Sequence, residues 1–138
     1  MVYLIIGHKG SGKTTHLIDD VKAAVDASLG NVICVEKSKK LTYNIDSRVR
    51  LVSADDYAVS GYDAYYGFLA GMCASNSDIT DIFGDGTLKI GGTDMEALGA
   101  FLEKVNNLGA ANDTKFTFTI SADKDELPAA IFDFCEIA

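Results

Sequence analysis

Glycine, lysine and threonine stand at fixed spacing near the start of the chain, in the segment Gly7-His-Lys-Gly-Ser-Gly-Lys-Thr14. Glycines, which lack a Cβ atom, let the backbone curl so that successive N–H groups point inward at an anion. Lys13 would place its ammonium group against the β- and γ-phosphates of a nucleotide, and the hydroxyl of Thr14 would bind Mg²⁺. The spacing G-x-x-x-x-G-K-[ST] therefore predicts a phosphate-binding loop. The predicted contacts are Gly7, His8, Lys9, Gly10, Ser11, Gly12, Lys13, Thr14 and Thr15.

The segments on either side of this loop have the patterns that such a loop requires. Val2–Ile6 is a short apolar run rich in β-branched residues, which predicts a buried strand. Apolar residues recur at helical spacing over residues 17–28, and Gly30 stands where that helix would end. Residues 32–35 predict a second buried strand, so the first 35 residues form a βαβ unit. The N-terminus of its helix would add a partial positive charge to the loop.

Residues 7–14, placed directly after Val2–Ile6, resemble the Walker A region of the P-loop NTPase superfamily. The likeness covers the first 35 residues well, and it implies binding of ATP together with Mg²⁺. It also implies a second element, a strand ending in an acid that holds Mg²⁺ through water. Ile82-Phe-Gly-Asp85 is the candidate, and Asp81 is a substitute if the strand register is shifted. We favour Asp85, because Asp81 would interrupt the buried run.

Hydrolysis needs a group that activates water, and many P-loop ATPases carry a glutamate directly after the acid of the second element. This chain has Gly86 there. RecA-like ATPases can place that glutamate at the end of the strand after the first helix, and Glu36 is similar to it in position. Lys13 and Glu36 are therefore the predicted catalytic residues. Ser121 resembles a polar sensor of the γ-phosphate, and it could equally cap a helix that follows.

The rest of the chain continues the alternation of strands and helices. Strands are predicted at residues 49–52, 79–83 and 115–120. Helices are predicted to begin near Ser60, at a capping box of Thr93 and Glu96 with Gly109 as the stop, and at Asp123. This order predicts an α/β three-layer sandwich around a mainly parallel sheet, built by a single domain of residues 1–138. In such folds ligands sit at the carboxyl ends of strands, where we place Gly7, Glu36, Asp85 and Ser121.

Composition and charge limit the function classes. The 138 residues are 48% apolar, with one proline, which is typical of a globular domain. The N-terminal apolar run is too short to span a bilayer or to act as a signal, so we expect a cytoplasmic protein without membrane insertion. A formal net charge of −8 disfavours general nucleic-acid binding. The three widely spaced cysteines are predicted to be reduced packing residues.

Five of the twelve basic residues lie within residues 37–50. The interpretation stays open between a solvated loop after a strand and a docking patch for a phosphorylated ligand or an acidic partner. These basic residues are Lys37, Lys39, Lys40, Arg48 and Arg50.

The resemblance leaves three functions open, all of them built on a nucleoside triphosphate. The first is a minimal ATPase that hydrolyses ATP slowly, with a protein partner or a second copy in a homo-oligomer supplying an arginine. The second is an ATP-binding regulatory or accessory module that does not hydrolyse ATP, and the third is a small nucleoside kinase. GTPases read guanine through an N/T-K-x-D tetrad, which this chain lacks, so ATP is favoured over GTP.

Overall fold

The computed structural model describes all residues from 1 to 138 and consists of one six-stranded sheet flanked by helices. The strand order is β3-β2-β4-β5-β1-β6, and every neighbouring pair is parallel. The predicted α/β class is confirmed, and the sheet is parallel throughout. The strands are β1 Val2–Ile6, β2 Asn31–Glu36, β3 Arg50–Ser53, β4 Ile79–Gly84, β5 Lys115–Ile120 and β6 Cys135–Ile137.

Four α-helices and three short 3₁₀ turns connect the strands. None of the helices has the length and apolar character needed to cross a membrane. The helices are α1 Lys13–Ala27, α2 Tyr62–Ser75, α3 Thr87–Gly91 and α4 Met95–Asn112, and the 3₁₀ turns are Ala54–Tyr57, Lys124–Glu126 and Ala129–Asp133.

The two faces of the sheet carry cores of unequal size. One core has 24 buried residues, with α2 and α4 packed over strands whose side chains include Phe116 and Phe118. The other has eight, among them Leu17 and Val21 of α1. No helix joins β2 to β3, and residues 37–49 form a loop, with Leu41 and Val49 packed into the smaller core. The third strand is displaced by one residue from the predicted 49–52. Cys34, Cys73 and Cys135 are free and buried, as predicted.

The prediction of a last helix starting at Asp123 is wrong. The backbone N–H of Asp123 does donate to Glu126 Oε1, at 3.0 Å, but the segment continues only as 3₁₀ turns. It is followed by β6, which the sequence did not predict and which pairs with β1. A capping pattern is a local signal, whereas an unpaired sheet edge recruits a strand through tertiary pairing.

Two smaller corrections concern α4. Asp94, and not Thr93, caps the helix, since its carboxylate accepts the N–H groups of Glu96 and Ala97 at 3.0 and 3.2 Å. The helix runs past Gly109 and ends before Asp113, which has a φ of 53°. A Cβ atom on Gly109 would lie 2.6 Å from the carbonyl oxygen of Thr114, so this glycine serves a close approach of helix and strand.

The register of the sheet aligns the carboxyl ends of its central strands. Ile6 lies beside Ile120, Gly84 beside Phe118, and Val35 beside Gly84. The residues that follow these positions therefore share one edge of the sheet. In order across that edge they are Glu36, Asp85, Thr119 to Ser121, and Gly7.

Candidate functional site

Residues 7–14, which we call the glycine loop, connect β1 to the first turn of α1. Gly10 and Gly12 both have a φ of 87°, in the left-handed region that side chains with a Cβ atom rarely adopt. Gly7 has a φ of 138°, and a Cβ atom there would lie within 3 Å of the Ser11 side chain. The glycine spacing seen in the sequence is therefore required by the backbone path of the loop.

The head of α1 has free hydrogen-bond donors. No side chain caps the helix, and the first intrahelical bond at this end is the one from His16 N–H to the Gly12 carbonyl, at 3.0 Å. The N–H groups of Lys13, Thr14 and Thr15 therefore donate to no atom of the protein. Free N–H groups and the helix dipole make such an end attractive to anions.

A cavity of about 430 Å³ opens in front of these donors, and we call it the loop cavity. No apolar side chain lines it, so it suits a polyanion better than an aromatic base. The structure places most of the predicted contacts along this cavity, whereas Gly7, His8 and Ser11 lie outside its lining. Its lining residues are Lys9, Gly10, Gly12, Lys13, Thr14, Thr15, Asp85, Gly86, Lys89, Thr119 and Ser121.

Lys13 is held inside the glycine loop. Its Nζ donates to the carbonyl oxygen of His8 at 3.1 Å, and the Ser11 N–H donates to the same oxygen at 3.1 Å. The loop is further anchored by a hydrogen bond from Gly7 N–H to the Ala122 carbonyl, at 3.0 Å. The ammonium group thus rests on a neutral carbonyl, with no carboxylate to compete with an incoming anion.

Asp85 and Thr14 both line the loop cavity, and Thr119 fixes the Asp85 carboxylate. The Thr119 hydroxyl donates to Asp85 Oδ1 at 2.6 Å and accepts the N–H of Gly86 at 2.9 Å. The Asp85 N–H donates to the Val35 carbonyl at 2.8 Å, which ties the residue to β2. One carboxylate oxygen is therefore committed to Thr119, and the other is left for a ligand of the cavity.

Asp81, the alternative to Asp85, lies at the opposite end of the sheet. It is the third residue of β4 and is in register with Lys115, the first residue of β5. It lines surface clefts near Ala27 and Leu29, where α1 ends, and not the loop cavity. Its position separates it from the Thr14 hydroxyl, whereas Asp85 shares a cavity with that hydroxyl.

Glu36 is 3% exposed and lies next to Asp85 on the neighbouring strand. Its carboxylate accepts the N–H of Lys40 at 2.8 Å and the N–H of Leu41 at 3.3 Å, so it holds the start of the loop between β2 and β3. Burial raises the pKa of the neighbouring Cys34 thiol to about 12, with the charges of Asp85 and Glu36 adding to the effect.

The two histidines near the loop contact carboxylates at the surface. His8 Nε2 is 2.5 Å from Glu126 and 3.4 Å from Asp123, and His16 is 3.3 Å from Asp20. The Asp123 N–H and the His8 side chain hold the pKa of Glu126 below its usual value. His8 therefore links the glycine loop to the segment after β5 and does not point into the loop cavity.

Most basic side chains outside the site have a partner, either a carboxylate or an aromatic ring. Lys37 and Lys39 pair with Asp55 and Asp56 at 3.0 Å, and Arg48 pairs with Asp46 at 2.8 Å. Most of the basic segment 37–50 thus behaves as a solvated, charge-paired loop. Three other lysines lie over aromatic rings: Lys104 over Tyr66, Lys115 over Tyr3 and Lys124 over Phe132.

Four lysines have neither a carboxylate nor a ring partner, and all four stand at this edge of the sheet. Lys9 and Lys13 line the loop cavity, Lys89 lines it as well, and Lys40 lies just beyond it. In a chain with a net charge of −8, unpaired cations gathered at one edge favour an anionic ligand there.

Two residues of this site, Thr119 and Lys89, were missed by the sequence reasoning. Thr119 is 1% exposed inside a buried strand. A buried hydroxyl needs a hydrogen-bond partner. A threonine within a buried strand therefore indicates that a polar group lies beside it, and this signal could have identified Thr119. Lys89 belongs to the short helix α3, which has no periodic pattern long enough to be recognised.

The fold and the site together define an α/β protein with a parallel sheet and an anion-attracting glycine loop at its carboxyl edge. Neither a scan of protein-family models nor a search of curated proteins finds a match for this chain.

Proposed function

We propose that this chain binds ATP with Mg²⁺ through the glycine loop and hydrolyses it slowly, as a minimal P-loop ATPase. The observation that carries the proposal is the head of α1, where the N–H groups of Lys13, Thr14 and Thr15 are free and open into the loop cavity. A chain of phosphates would accept these donors. The unpaired Lys9 and Lys13 would neutralise part of its charge.

The donor set around the cavity fits Mg²⁺. This ion prefers oxygen ligands and keeps several waters. The Thr14 hydroxyl and the free oxygen of Asp85 face the same polar space, and Thr119 orients the carboxylate. Bound Mg²⁺ would neutralise charge on the triphosphate, while Thr14 and Asp85 would hold it in place.

The position of Glu36 supports the hydrolytic form of the proposal only if its carboxylate is released from the loop. A general base must reach the attacking water. In the structure both carboxylate oxygens of Glu36 are within hydrogen-bonding distance of the Leu41 N–H, and one of them also accepts the Lys40 N–H. Movement of residues 37–41 would free the carboxylate next to Asp85.

The same observation favours a second candidate, an ATP-binding module that does not hydrolyse its ligand. The Glu36 carboxylate has a structural task, and Gly86 stands where many P-loop ATPases carry their glutamate. In this form the bound nucleotide would stabilise the loop edge for contact with a partner.

A thermal-shift titration with ATP and with GTP, each with and without Mg²⁺, tests the binding site. A ligand at about a hundred times its Kd stabilises a fold by about 2.7 kcal/mol, which is readily visible in a domain of this size. Lys13→Ala should abolish the ATP shift. Lys104→Ala, which removes a lysine from the distant face of α4, should leave the shift intact. No shift with any triphosphate would refute the proposal.

A measurement of ATP hydrolysis distinguishes the ATPase from the non-hydrolysing module. The ATPase form predicts phosphate release by the wild-type chain and loss of release in Glu36→Gln, with the ATP-dependent shift retained. A wild-type chain that binds ATP and releases no phosphate would favour the non-hydrolysing module.

A further inference from the structure

A second, smaller cavity lies directly beside the loop cavity, and we call it the side cavity. Its volume is about 200 Å³. The two cavities share four lining residues, so that a ligand in one is adjacent to a ligand in the other. These shared residues are Thr14, Asp85, Gly86 and Lys89.

We propose that the side cavity binds a second small oxyanion, a phosphate or phosphomonoester group, between Lys40 and Lys89. The inference rests on the proposed function in placing this group next to the end of the bound triphosphate. The remaining lining is polar, with Leu41 as its one apolar residue.

The backbone of Lys40 is anchored, while its side chain is exposed. The Lys40 N–H is bound by the buried carboxylate of Glu36, and the next residue, Leu41, is anchored in the smaller core. Its neighbours on the loop, Lys37 and Lys39, have their ammonium groups on Asp55 and Asp56. The Lys40 ammonium has no such partner, and Lys40 is one of the residues that line the side cavity.

Lys89 lines both cavities. Gly86 has a φ of 67°, and a Cβ atom built on it would meet the aliphatic stem of Lys89 at 3.6 Å. The side chain therefore folds back over Gly86, between the two cavities.

The charges around the side cavity favour an anion. The Glu36 carboxylate is satisfied by two backbone N–H groups. One oxygen of Asp85 accepts the Thr119 hydroxyl, and its other oxygen is the one that the proposed function assigns to Mg²⁺. The ammonium groups of Lys40 and Lys89 are the charged donors without an acceptor. Charge-assisted hydrogen bonds from two lysines are a common way of holding phosphate.

The volume limits the size of the ligand. Pockets for drug-sized molecules measure roughly 300–1,000 Å³, and the side cavity is below that range. A phosphate or a small phosphorylated molecule fits this space better than a whole nucleoside does.

The experiment uses inorganic phosphate as the probe and melting temperature as the readout. The chain is first saturated with Mg²⁺ and the non-hydrolysable analogue AMP-PNP, and phosphate is then titrated against a KCl series of matched ionic strength. We expect a second, saturable rise in melting temperature. Lys40→Ala should weaken the apparent phosphate affinity at least tenfold while the AMP-PNP shift remains. Lys89→Ala, which changes the lining of both cavities, should also weaken the phosphate affinity at least tenfold, and Lys104→Ala should change neither response.

The outcomes separate this inference from the proposed function. An AMP-PNP shift without any further response to phosphate overturns the side cavity and leaves the proposed function standing. A phosphate response that persists unchanged in Lys40→Ala and Lys89→Ala also overturns it. If AMP-PNP gives no shift, the proposed function fails. The side cavity is then supported only by a phosphate response that needs Lys40 and Lys89 but not Lys13, and any other response overturns it.

Discussion

Replacing Thr119 by valine removes a hydroxyl that joins two neighbouring strands while keeping the shape of the side chain. The hydroxyl donates to Asp85 Oδ1 at 2.6 Å and accepts the Gly86 N–H at 2.9 Å. The substitution would leave the Gly86 N–H without a partner, which costs about 1–3 kcal/mol when the group is shielded from water. Gly86 is half-buried and lines the loop cavity, so water can reach this region. The free energy of unfolding should therefore fall by about 1 kcal/mol, the lower end of that range.

Urea unfolding and thermal melting measure the effect of this change. About 4 °C of melting temperature corresponds to 1 kcal/mol in a domain of this size, so we expect Thr119→Val to melt about 4 °C below the wild type. The slope of the urea transition should stay the same, because the folded state keeps its compactness.

Thr117 offers a matched control in the same strand. It is also buried and lines the cleft near the end of α1, but its hydroxyl makes no hydrogen bond within the protein. Thr117→Val should change the free energy of unfolding by less than about 0.5 kcal/mol. Equal losses for the two variants would refute the reasoning. A double-mutant cycle with Asp85→Ala, which removes the acceptor, should also give a coupling energy above about 0.5 kcal/mol, and strict additivity would contradict the contact.

Three further predictions follow from packing and charge. Gly84→Ala should lower the free energy of unfolding in urea by about 1–3 kcal/mol, because its Cβ atom would lie 2.4 Å from the Tyr65 hydroxyl. The control Gly67→Ala, in open space on α2, should leave that free energy unchanged or raise it. The Cys34 thiol, with a pKa raised to about 12 by burial, should resist thiol reagents at pH 8 until the chain is unfolded, and rapid labelling of the folded chain would contradict its burial. Arg48 holds the pKa of Asp46 far below its unfolded value near 3.8, so this pair stabilises the fold above about pH 5 and loses that effect as the pH falls. Asp46→Asn should flatten the acid side of the stability profile, and an unchanged profile would show that the pair is not formed.

The start of the chain could be predicted from the sequence because its signals are local. The strand, the glycine spacing and the helix up to Ala27 follow one another without interruption, and each depends on neighbouring residues. The structure has β1 and α1 where the patterns predicted them. The free N–H groups at the head of α1 follow from the way in which any helix begins.

The surroundings of the glycine loop depend on pairing between distant strands, which no local pattern reports. Asp81 and Asp85 are four residues apart, and only the register against β5 places one at each end of the sheet. Thr119 is positioned beside Asp85 by the same register. Glu36 was predicted at the correct edge, but its hydrogen bonds to the loop that follows depend on how residues 37–41 fold back.

The unequal cores on the two faces of the sheet have a consequence for local opening of the chain. The 24-residue core holds α4 in place, whereas α1 and the loop that carries Leu41 rest on a core of eight residues. Segments with less buried apolar surface open more readily than the whole domain unfolds, and their amide hydrogens exchange sooner. The glycine loop is thus attached to the face of the sheet that we expect to open more readily. A polyanion bound at the head of α1 would slow amide exchange mainly on this face. The exchange rates of α1 and of the loop that carries Leu41 would therefore report whether the glycine loop is occupied.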